Sequence, residues 1–281
     1  MNTLNLNGKI DRKSIAVYTA IDQAAGDLDI PYVVVGASAR DLVMHYGYGV
    51  RIIKATADID FGFLVSGWGK FEALRQRLIE SGFQKTNPLH RLIYDRMIVD
   101  LVPFGAIQNK DAKIAWPPDG DVLMNVLGFQ EALNCCVEVI IQDKPEVTIP
   151  VVIPPGLSLL KIICWTDRNA DLRSKDAQDL LYLIKSYREI PEVMKSIFDY
   201  PEMMEEFDHE IELASAFILG IDAAAITSEQ TKKYLKQIEN NQIKNRPCDL
   251  MVEDMCNDIE VEFARNKALL KAYFRGINHH H

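Results

Sequence analysis

The chain has 281 residues, 48% of them hydrophobic, and carries a formal net charge of −9 at pH 7. This length and apolar content allow the chain to bury one large core or two smaller ones. The acidic balance, with a pI near 5.2, argues against a protein that coats nucleic acid with a broad basic surface. A nucleotide, a tRNA end or a protein side chain needs only a local basic site and stays compatible with this charge.

The cysteines, the histidines and the apolar runs of the chain indicate its cellular compartment and whether it has a zinc site. The five cysteines lack paired spacing, which favours a reducing compartment over a disulfide framework. No N-terminal apolar stretch resembles a signal peptide and no apolar run approaches membrane-spanning length, so we expect a cytoplasmic protein without membrane contact. Residues 279–281 are histidines typical of an expression tag, and the other three histidines are too scattered for a zinc site.

The N-terminal half alternates between helical and strand-like patterns. The predicted elements are a helix over 10–25, a strand over 32–35, a short helix over 39–46, a connector over 47–54, a strand over 58–65, a helix over 70–81 and strands over 89–95 and 97–102. Gly82 is placed to end the helix over 70–81. This alternation predicts an α/β fold with a mixed sheet.

The second half becomes helical after a turn-rich insertion and a hairpin. Residues 108–128 are polar and rich in turn formers, and the β-branched runs over 132–141 and 147–153 predict a hairpin. The later predicted helices cover 157–167, 175–187, 190–196, 201–219, 228–243 and 249–275. We therefore predict an α/β (α+β) protein, in which a mixed-sheet domain over 1–153 precedes a helical domain over 154–278.

Two aspartates separated by one residue, Asp58 and Asp60, give the sharpest functional signal. In a strand, side chains at i and i+2 point to the same face, so these carboxylates converge while Ile59 points into a core. Side-by-side carboxylates repel each other, and proteins accept that cost mainly where a cation neutralises it. The alternative interpretation is the solvated face of a half-buried sheet.

A third carboxylate, Asp100, lies in the strand-like run over 97–102. Three carboxylates on adjacent strands suit a pair of Mg²⁺ ions, or Mn²⁺ in their place, for phosphoryl or nucleotidyl transfer. Because burying an unpaired carboxylate is costly, Asp100 needs either a nearby Arg or Lys or a metal shared with the other two.

A small-residue segment, Gly36, Ala37 and Ser38, directly follows the predicted strand over 32–35. Small residues let backbone N–H groups approach phosphate oxygens closely. Arg40 lies just beyond, where it either pairs with a phosphate or faces solvent as a surface residue. The segment therefore indicates a phosphate site next to the carboxylates.

The order Gly36-x-Ser38, Asp58-x-Asp60 and Asp100 resembles the nucleotidyltransferase superfold of polymerase-β-like enzymes. Further along, Leu160-Lys161 and Lys175-Asp176-Ala177-Gln178-Asp179 look like the helical signature of AbiEii/AbiGii-type bacterial nucleotidyltransferases. Many members of that family are toxins of toxin–antitoxin or phage-defence systems. The resemblance spans residues 32–187. It departs from the superfold at Ala37, because Gly-Ser or Gly-Gly usually stand there without an intervening residue.

The resemblance implies an enzyme that moves an NMP from an NTP such as ATP to a hydroxyl on a tRNA 3′ end, a protein or a small molecule. It implies an active site in the cleft between the two domains, an antitoxin as a compatible partner, and Mg²⁺ held by Asp58, Asp60 and Asp100 as catalytic residues. The nucleotide-binding residues that it implies are Gly36, Ala37, Ser38, Arg40, Lys161, Lys175 and Asp176.

Plainer interpretations exist for the later residues and for the function. Lys161 is also typical of a lysine that snorkels at a helix edge, and Lys175 with Asp179 of a solvated i,i+4 pair. A catalytically silent nucleotide- or partner-binding protein and a phosphotransferase acting on protein stay open as alternatives. The chain shows no P-loop, no G-x-G-x-x-G and no Ser-His-Asp order, which disfavours ATPase, dehydrogenase and hydrolase functions.

Overall fold

A computed structural model describes residues 3–52, 58–199 and 201–279 of the chain. It divides the chain into two compact units, Met1–Ile153 and Pro154–His281. In the described residues, all β-structure lies in the first unit and the second unit is helical. The predicted fold class, a mixed sheet followed by helices, is confirmed.

The first unit contains ten strands and four α-helices in its described residues. The strands are β1 (Leu4–Asn5), β2 (Tyr32–Val35), β3 (Asp58–Val65), β4 (Gln84–Lys85), β5 (Arg91–Tyr94), β6 (Met97–Gly105), β7 (Lys113–Ala115), β8 (Leu123–Asn125), β9 (Cys136–Asp143) and β10 (Glu146–Val152). The helices are α1 (Arg12–Asp27), α2 (Gly36–Arg40), which continues into a π-helical segment (Asp41–Gly47), α3 (Trp68–Glu80) and α4 (Phe129–Asn134).

Eight of the strands form one mixed sheet in the order β1-β9-β10-β2-β3-β6-β5-β4, and β7 pairs with β8. β3 lies in the middle, antiparallel to β2 and parallel to β6. Its apolar face is fully buried at Phe61 and Phe63, and the Phe61 ring packs edge-on against Tyr18 of α1 at 6.0 Å between centroids. Because side chains alternate along a strand, this aromatic anchor fixes Asp58 and Asp60 on the opposite face.

Two predictions in the first unit need correction. The helix expected over 39–46 begins at Gly36, so residues 36–38 form its first turn and not a separate turn before it. The strand expected from residue 132 begins at Cys136, because the preceding residues form α4. The two-residue strands β1 and β4 and the β7–β8 hairpin were not predicted, since such short strands contain no periodicity to detect. Residues 53–54 of the predicted connector lie outside the described residues.

The second unit consists of α-helices and one short 3₁₀ turn (Tyr187–Glu189). The helices are α5 (Pro154–Asp167), α6 (Ala170–Ser186), α7 (Pro191–Asp199), α8 (Pro201–Glu206), α9 (Ile211–Ile226), α10 (Glu229–Glu239), α11 (Cys248–Met255) and α12 (Ile259–Ile277). None of the helices in the described ranges combines the length and the apolar character needed to cross a bilayer. Residues 280–281 of the predicted tag are outside those ranges.

Two of the helices predicted in this unit were too long. The helix expected over 201–219 is interrupted between α8 and α9, where Asp208 and His209 adopt φ angles of 51° and 61°. The helix expected over 249–275 is interrupted between α11 and α12. The Asp258 side chain caps α12 by accepting a hydrogen bond from the backbone N–H of Glu260. Residues 208–210 and 257–258 at the two breaks are polar. Asp258 is a residue type that begins helices, so the sequence carried a signal at the second break that apolar periodicity does not capture.

Helices α9 and α12 of the second unit pack closely against each other through two glycines, Gly220 and Gly276. A Cβ atom at Gly220 would overlap the carbonyl oxygen of Tyr273, and one at Gly276 would overlap that of Phe217. The hypothetical Cβ at Gly220 would also lie 2.9 Å from the Cα of Gly276. Both positions therefore need glycine because two backbones meet there.

We expect Gly220→Ala to lower the free energy of unfolding by about 1–3 kcal/mol, the usual cost of overpacking. Gly26→Ala in α1 is the matched control, since nothing lies within 4 Å of its Cβ position. That substitution should be neutral or stabilise by up to about 1 kcal/mol, because alanine restricts the unfolded chain more than glycine does. Urea denaturation of both variants measures the difference, and equal effects would show that the two helices do not meet at Gly220.

Candidate functional site

Three carboxylates meet at the centre of the sheet in the first unit. Asp58 and Asp60 lie on β3, and the parallel register of β3 with β6 places Asp60 directly opposite Asp100. One oxygen from each carboxylate lies within 4.8 Å of the others. The structure therefore brings together the three residues that the sequence places on neighbouring strands, and we call this group the acidic triad.

The flanks of the acidic triad are apolar and buried. Ile59 on β3 is 4% exposed, and Val99 and Leu101 beside Asp100 on β6 are fully buried. Asp100 itself is 9% exposed. A carboxylate that is largely withdrawn from water is stable in its ionised form only with a charged or hydrogen-bonding partner.

Arg91 on β5 is the partner that Asp100 requires, and the sequence analysis did not identify it. The Nε and Nη2 atoms of Arg91 donate to the two carboxylate oxygens of Asp100, each at 2.7 Å. The hydrogen bonds to Asp100 raise the pKa of Arg91 above its ordinary value, and the charges of Asp58 and Asp60 add to this effect. The guanidinium thus stays protonated and fixes the orientation of one member of the acidic triad.

A signal for Arg91 was present in the sequence. β5 and β6 are joined by a two-residue turn, Asp95 and Arg96, both with positive φ. In an antiparallel hairpin the turn length fixes the register, and here it pairs residue 91 with residue 100. Counting outward from this turn would have placed the arginine opposite the aspartate.

Gly36 lies against the acidic triad, since Val35 pairs with Asp60 in the β2–β3 register. Gly36 has a φ of 72°, and a Cβ atom there would overlap the Asp60 carboxylate oxygen and lie 2.7 Å from its Cγ. Ala37 and Ser38 follow as buried residues, and the Ser38 hydroxyl donates to the carbonyl oxygen of Val35 at 3.2 Å. The glycine is therefore required by the backbone conformation and by the closeness of Asp60.

Arg40 is buried and forms an ion pair inside the first unit. It is 5% exposed, and its Nε and Nη2 atoms lie 2.9 and 2.8 Å from the same oxygen of Asp41. This pairing accounts for the burial of a guanidinium at this position. A contact between Arg40 and a phosphate stays a prediction.

Lys161 and Asp176 of the second unit belong to a buried charge network, and Lys175 lies half-buried on α6. Lys161 on α5 places its Nζ atom 3.2 Å from Asp176 and 2.6 Å from Asp179, both on α6. Arg168 approaches the other oxygen of Asp176 at 2.9 Å. Lys161, Asp176 and Asp179 are each at most 8% exposed, so the ammonium group does not snorkel to solvent. The roles of Lys161, Lys175 and Asp176 at a nucleotide stay predictions.

Comparison with known proteins gives distant likenesses. No protein-family model and no curated protein matches the chain. The solution structure of the antibiotic-resistance factor ANT(2'')-Ia is similar with 17% identity and a TM-score of 0.38, covering 71% of this chain and 98% of that one. The crystal structure of ANT(2'')-Ia with adenylyl-2''-tobramycin has 16% identity and a TM-score of 0.32, and the likeness covers 72% of this chain and 95% of that one. The Thermotoga maritima CCA-adding enzyme with tRNA has 12% identity and a TM-score of 0.28, and the likeness covers 96% of this chain and 83% of that one.

Likenesses at this level of identity and superposition carry no argument about the activity of this chain.

Substituting Gly36 tests its closeness to Asp60. Gly36→Ala has to adopt a left-handed conformation and also displace the Asp60 carboxylate, for a combined loss of about 2–4 kcal/mol in unfolding free energy. Gly49→Ala is the matched control, because Gly49 has a similar φ of 77° with nothing within 4 Å of its Cβ position. Gly49→Ala should lose only the unfolding free energy that the left-handed backbone conformation costs, about 1 kcal/mol. Chemical denaturation that gives equal losses would place Asp60 away from Gly36.

Removing Lys161 tests the buried network. Lys161→Ala leaves Asp176 and Asp179 without their shared cation, and breaking a buried ion pair in this way costs about 3–5 kcal/mol. Lys195→Ala on α7 removes an exposed lysine and should change the stability by less than about 0.5 kcal/mol. The melting temperatures of Lys161→Ala and Lys195→Ala, each compared with that of the wild type, measure the difference. An unchanged melting temperature for Lys161→Ala would contradict the structural role of the ion pairs.

Proposed function

We propose that this protein is a Mg²⁺-dependent nucleotidyltransferase, which moves an NMP from an NTP to a hydroxyl acceptor. The single observation that carries the proposal is the convergence of Asp58, Asp60 and Asp100 within 4.8 Å on adjacent strands. A structural role for three neighbouring carboxylates is unfavourable, because each raises the cost of ionising the others.

The residues present fit a hard divalent cation. Carboxylate oxygens are the donors that Mg²⁺ and Mn²⁺ prefer. The guanidinium of Arg91 pairs with Asp100, and a divalent ion would relieve the repulsion among the three carboxylates. When bound, Mg²⁺ would supply charge neutralisation and Lewis-acid polarisation of the phosphate oxygens, and two ions would divide these tasks.

The residues of the chain have separable roles in this proposal. Asp58 and Asp60 would hold the metal beside the triphosphate, and Asp100 would face the acceptor. The acceptor oxygen bonds to the α-phosphorus as the bond to the β-phosphate oxygen breaks, so that pyrophosphate leaves and the hydroxyl proton passes to Asp100. Arg91 keeps the Asp100 carboxylate oriented for that transfer, and positioning of this kind supplies much of the catalysis in phosphoryl-transfer sites.

The nucleotide phosphates are proposed to lie beside residues 36–38, where the absence of a side chain at Gly36 leaves the backbone close to Asp60. Arg40 and Lys161 already have carboxylate partners within their own units, so the proposal does not depend on them. For the acceptor, a tRNA 3′ end, a protein hydroxyl and a small molecule are all compatible with the acidic triad. A toxin role with an antitoxin partner rests only on the sequence resemblance to AbiEii/AbiGii-type proteins.

Labelling with radioactive NTP tests the reaction. The protein, Mg²⁺ and total cell extract are incubated in parallel with α-labelled and γ-labelled NTP, and label is followed into RNA, protein and small molecules. The proposal expects transfer from the α-label together with pyrophosphate release, and both fall by orders of magnitude in Asp100→Asn because the hydroxyl loses its proton acceptor. Transfer of the γ-label alone would identify a phosphotransferase. No transfer of either label, with NTP still bound, would indicate a silent binding protein.

Metal binding is tested without turnover. Mg²⁺ or Mn²⁺ should raise the melting temperature of the protein, more so with NTP present, because a ligand that binds only the folded state stabilises it. Asp58→Asn/Asp60→Asn should abolish that shift and leave the metal-free protein equally or more stable, since repulsion is relieved. Asp119→Asn/Asp121→Asn is the matched control, a pair with the same spacing on exposed residues. Persistence of the metal-induced shift in the first variant would refute the metal site.

A further inference from the structure

Arg91 engages both oxygens of the third carboxylate in the acidic triad. Its Nε and Nη2 atoms donate to different oxygens of Asp100, each at 2.7 Å, and this is the two-pronged geometry in which a guanidinium best matches a carboxylate. The negative charges of Asp58 and Asp60 also act on the same guanidinium. Arg91 therefore brings a permanent positive charge within electrostatic reach of all three carboxylates.

The backbone of Arg91 is held in place from two directions. Its N–H donates to the carbonyl oxygen of Pro88 at 3.0 Å, and its own carbonyl oxygen accepts from the Thr86 hydroxyl at 2.8 Å. The next residue, Leu92, is fully buried in the core. The guanidinium is thus a fixed part of the site, and a ligand that arrives at the acidic triad meets this charge already in position.

An arginine at this place limits how many metal ions the acidic triad can hold. In sites with two ions, the ions share a set of carboxylates and divide the attacking and leaving oxygens between them. A second ion at Asp100 would lie beside the guanidinium, because both would contact the same carboxylate. Cations at such short separation repel each other, and Asp100 is largely buried, so solvent and salt screen this repulsion less than they do at an exposed site.

We propose that the acidic triad binds a single divalent ion and that Arg91 supplies the second positive charge, on the side of the acceptor. The role of Arg91 in catalysis rests on the proposed nucleotidyltransferase function. In that reaction the N–H groups of Arg91 that do not contact Asp100 are donors for the attacking oxygen, where a second ion would otherwise stabilise the developing charge. A single metal-binding event then completes the site.

Counting bound Mn²⁺ tests the proposal without turnover. The metal-free, full-length protein is titrated with Mn²⁺ alone, and the loss of the electron paramagnetic resonance signal of free Mn²⁺ gives the number of ions bound per chain. We expect one ion for the wild type and two for Arg91→Gln, because a neutral amide does not repel an ion at Asp100. Arg91→Lys keeps the charge without the fork and should bind one ion.

Arg77→Gln is the matched control. Arg77 also donates through Nε and Nη2 to a carboxylate, that of Asp27, and this pair is exposed on the surface of the first unit. Its removal should leave the count at one ion, because Asp27 is not part of the acidic triad. A wild type that binds two ions overturns the proposal, and so does an Arg91→Gln variant that binds only one ion, however tightly.

A measurement on the wild type alone guards against misfolding of Arg91→Gln. Two Mn²⁺ ions held by shared carboxylates lie about 3.5–4 Å apart, so they couple magnetically and give a spectrum different from that of an isolated ion. We expect the wild type saturated with Mn²⁺ to give only the spectrum of isolated ions. A coupled spectrum refutes the proposal whatever the variant does.

This proposal and the proposed function fail in different ways. If the wild type binds two ions and the α-label is transferred, Arg91 does not replace an ion and the proposed function stands. If the wild type binds one ion and Arg91→Gln binds two while neither label is transferred, the effect of Arg91 on metal binding stands and the proposed transfer is wrong. A wild type that binds no Mn²⁺ refutes the metal site and this proposal together.

Discussion

Electrostatic repulsion among three carboxylates is the constraint on which the candidate site depends. Asp58, Asp60 and Asp100 approach within 4.8 Å on a sheet whose neighbouring positions are apolar. Arg91 counters this repulsion at Asp100 through the two hydrogen bonds that it donates. A divalent cation held by the three carboxylates would relieve it further.

The second unit shows the contrasting case. Its buried carboxylates, Asp176 and Asp179, face two cations, Lys161 and Arg168, in the contacts described. Balanced buried charges of this kind hold helices in register and leave little attraction for a further ion. The acidic triad was predicted as functional from its own residues as well as from the sequence resemblance, and Lys161 and Asp176 from the resemblance. In the contacts described, Lys161 is held by two carboxylates, and its role at a nucleotide stays a prediction.

The sequence allowed the central part of this arrangement to be predicted, because β2 is a short, fully apolar run and β3 begins with alternating polar and apolar residues. Both were predicted with the bounds that the structure shows, and alternation alone placed Asp58 and Asp60 on one face. The start of α2 was missed because glycine disfavours helices, although Gly36 is required there by its positive φ and by Asp60. The breaks after α8 and α11 were missed because the prediction followed apolar spacing and did not use polar residues, such as Asp258, that mark the start of the next helix. Long-range ion pairs, such as those of Lys161, depend on packing that no local pattern contains.

The two-residue turn between β5 and β6 has a consequence for how this chain can vary. The length of the turn determines which residue of β5 faces Asp100, because side chains change face with every step along a strand. Inserting or deleting one residue in that turn would move the guanidinium to the opposite face of the sheet and bring an apolar neighbour, Leu92, toward the carboxylates. The length of this turn is therefore as strictly constrained as the identity of any residue in the acidic triad, although Asp95 and Arg96 are themselves exposed.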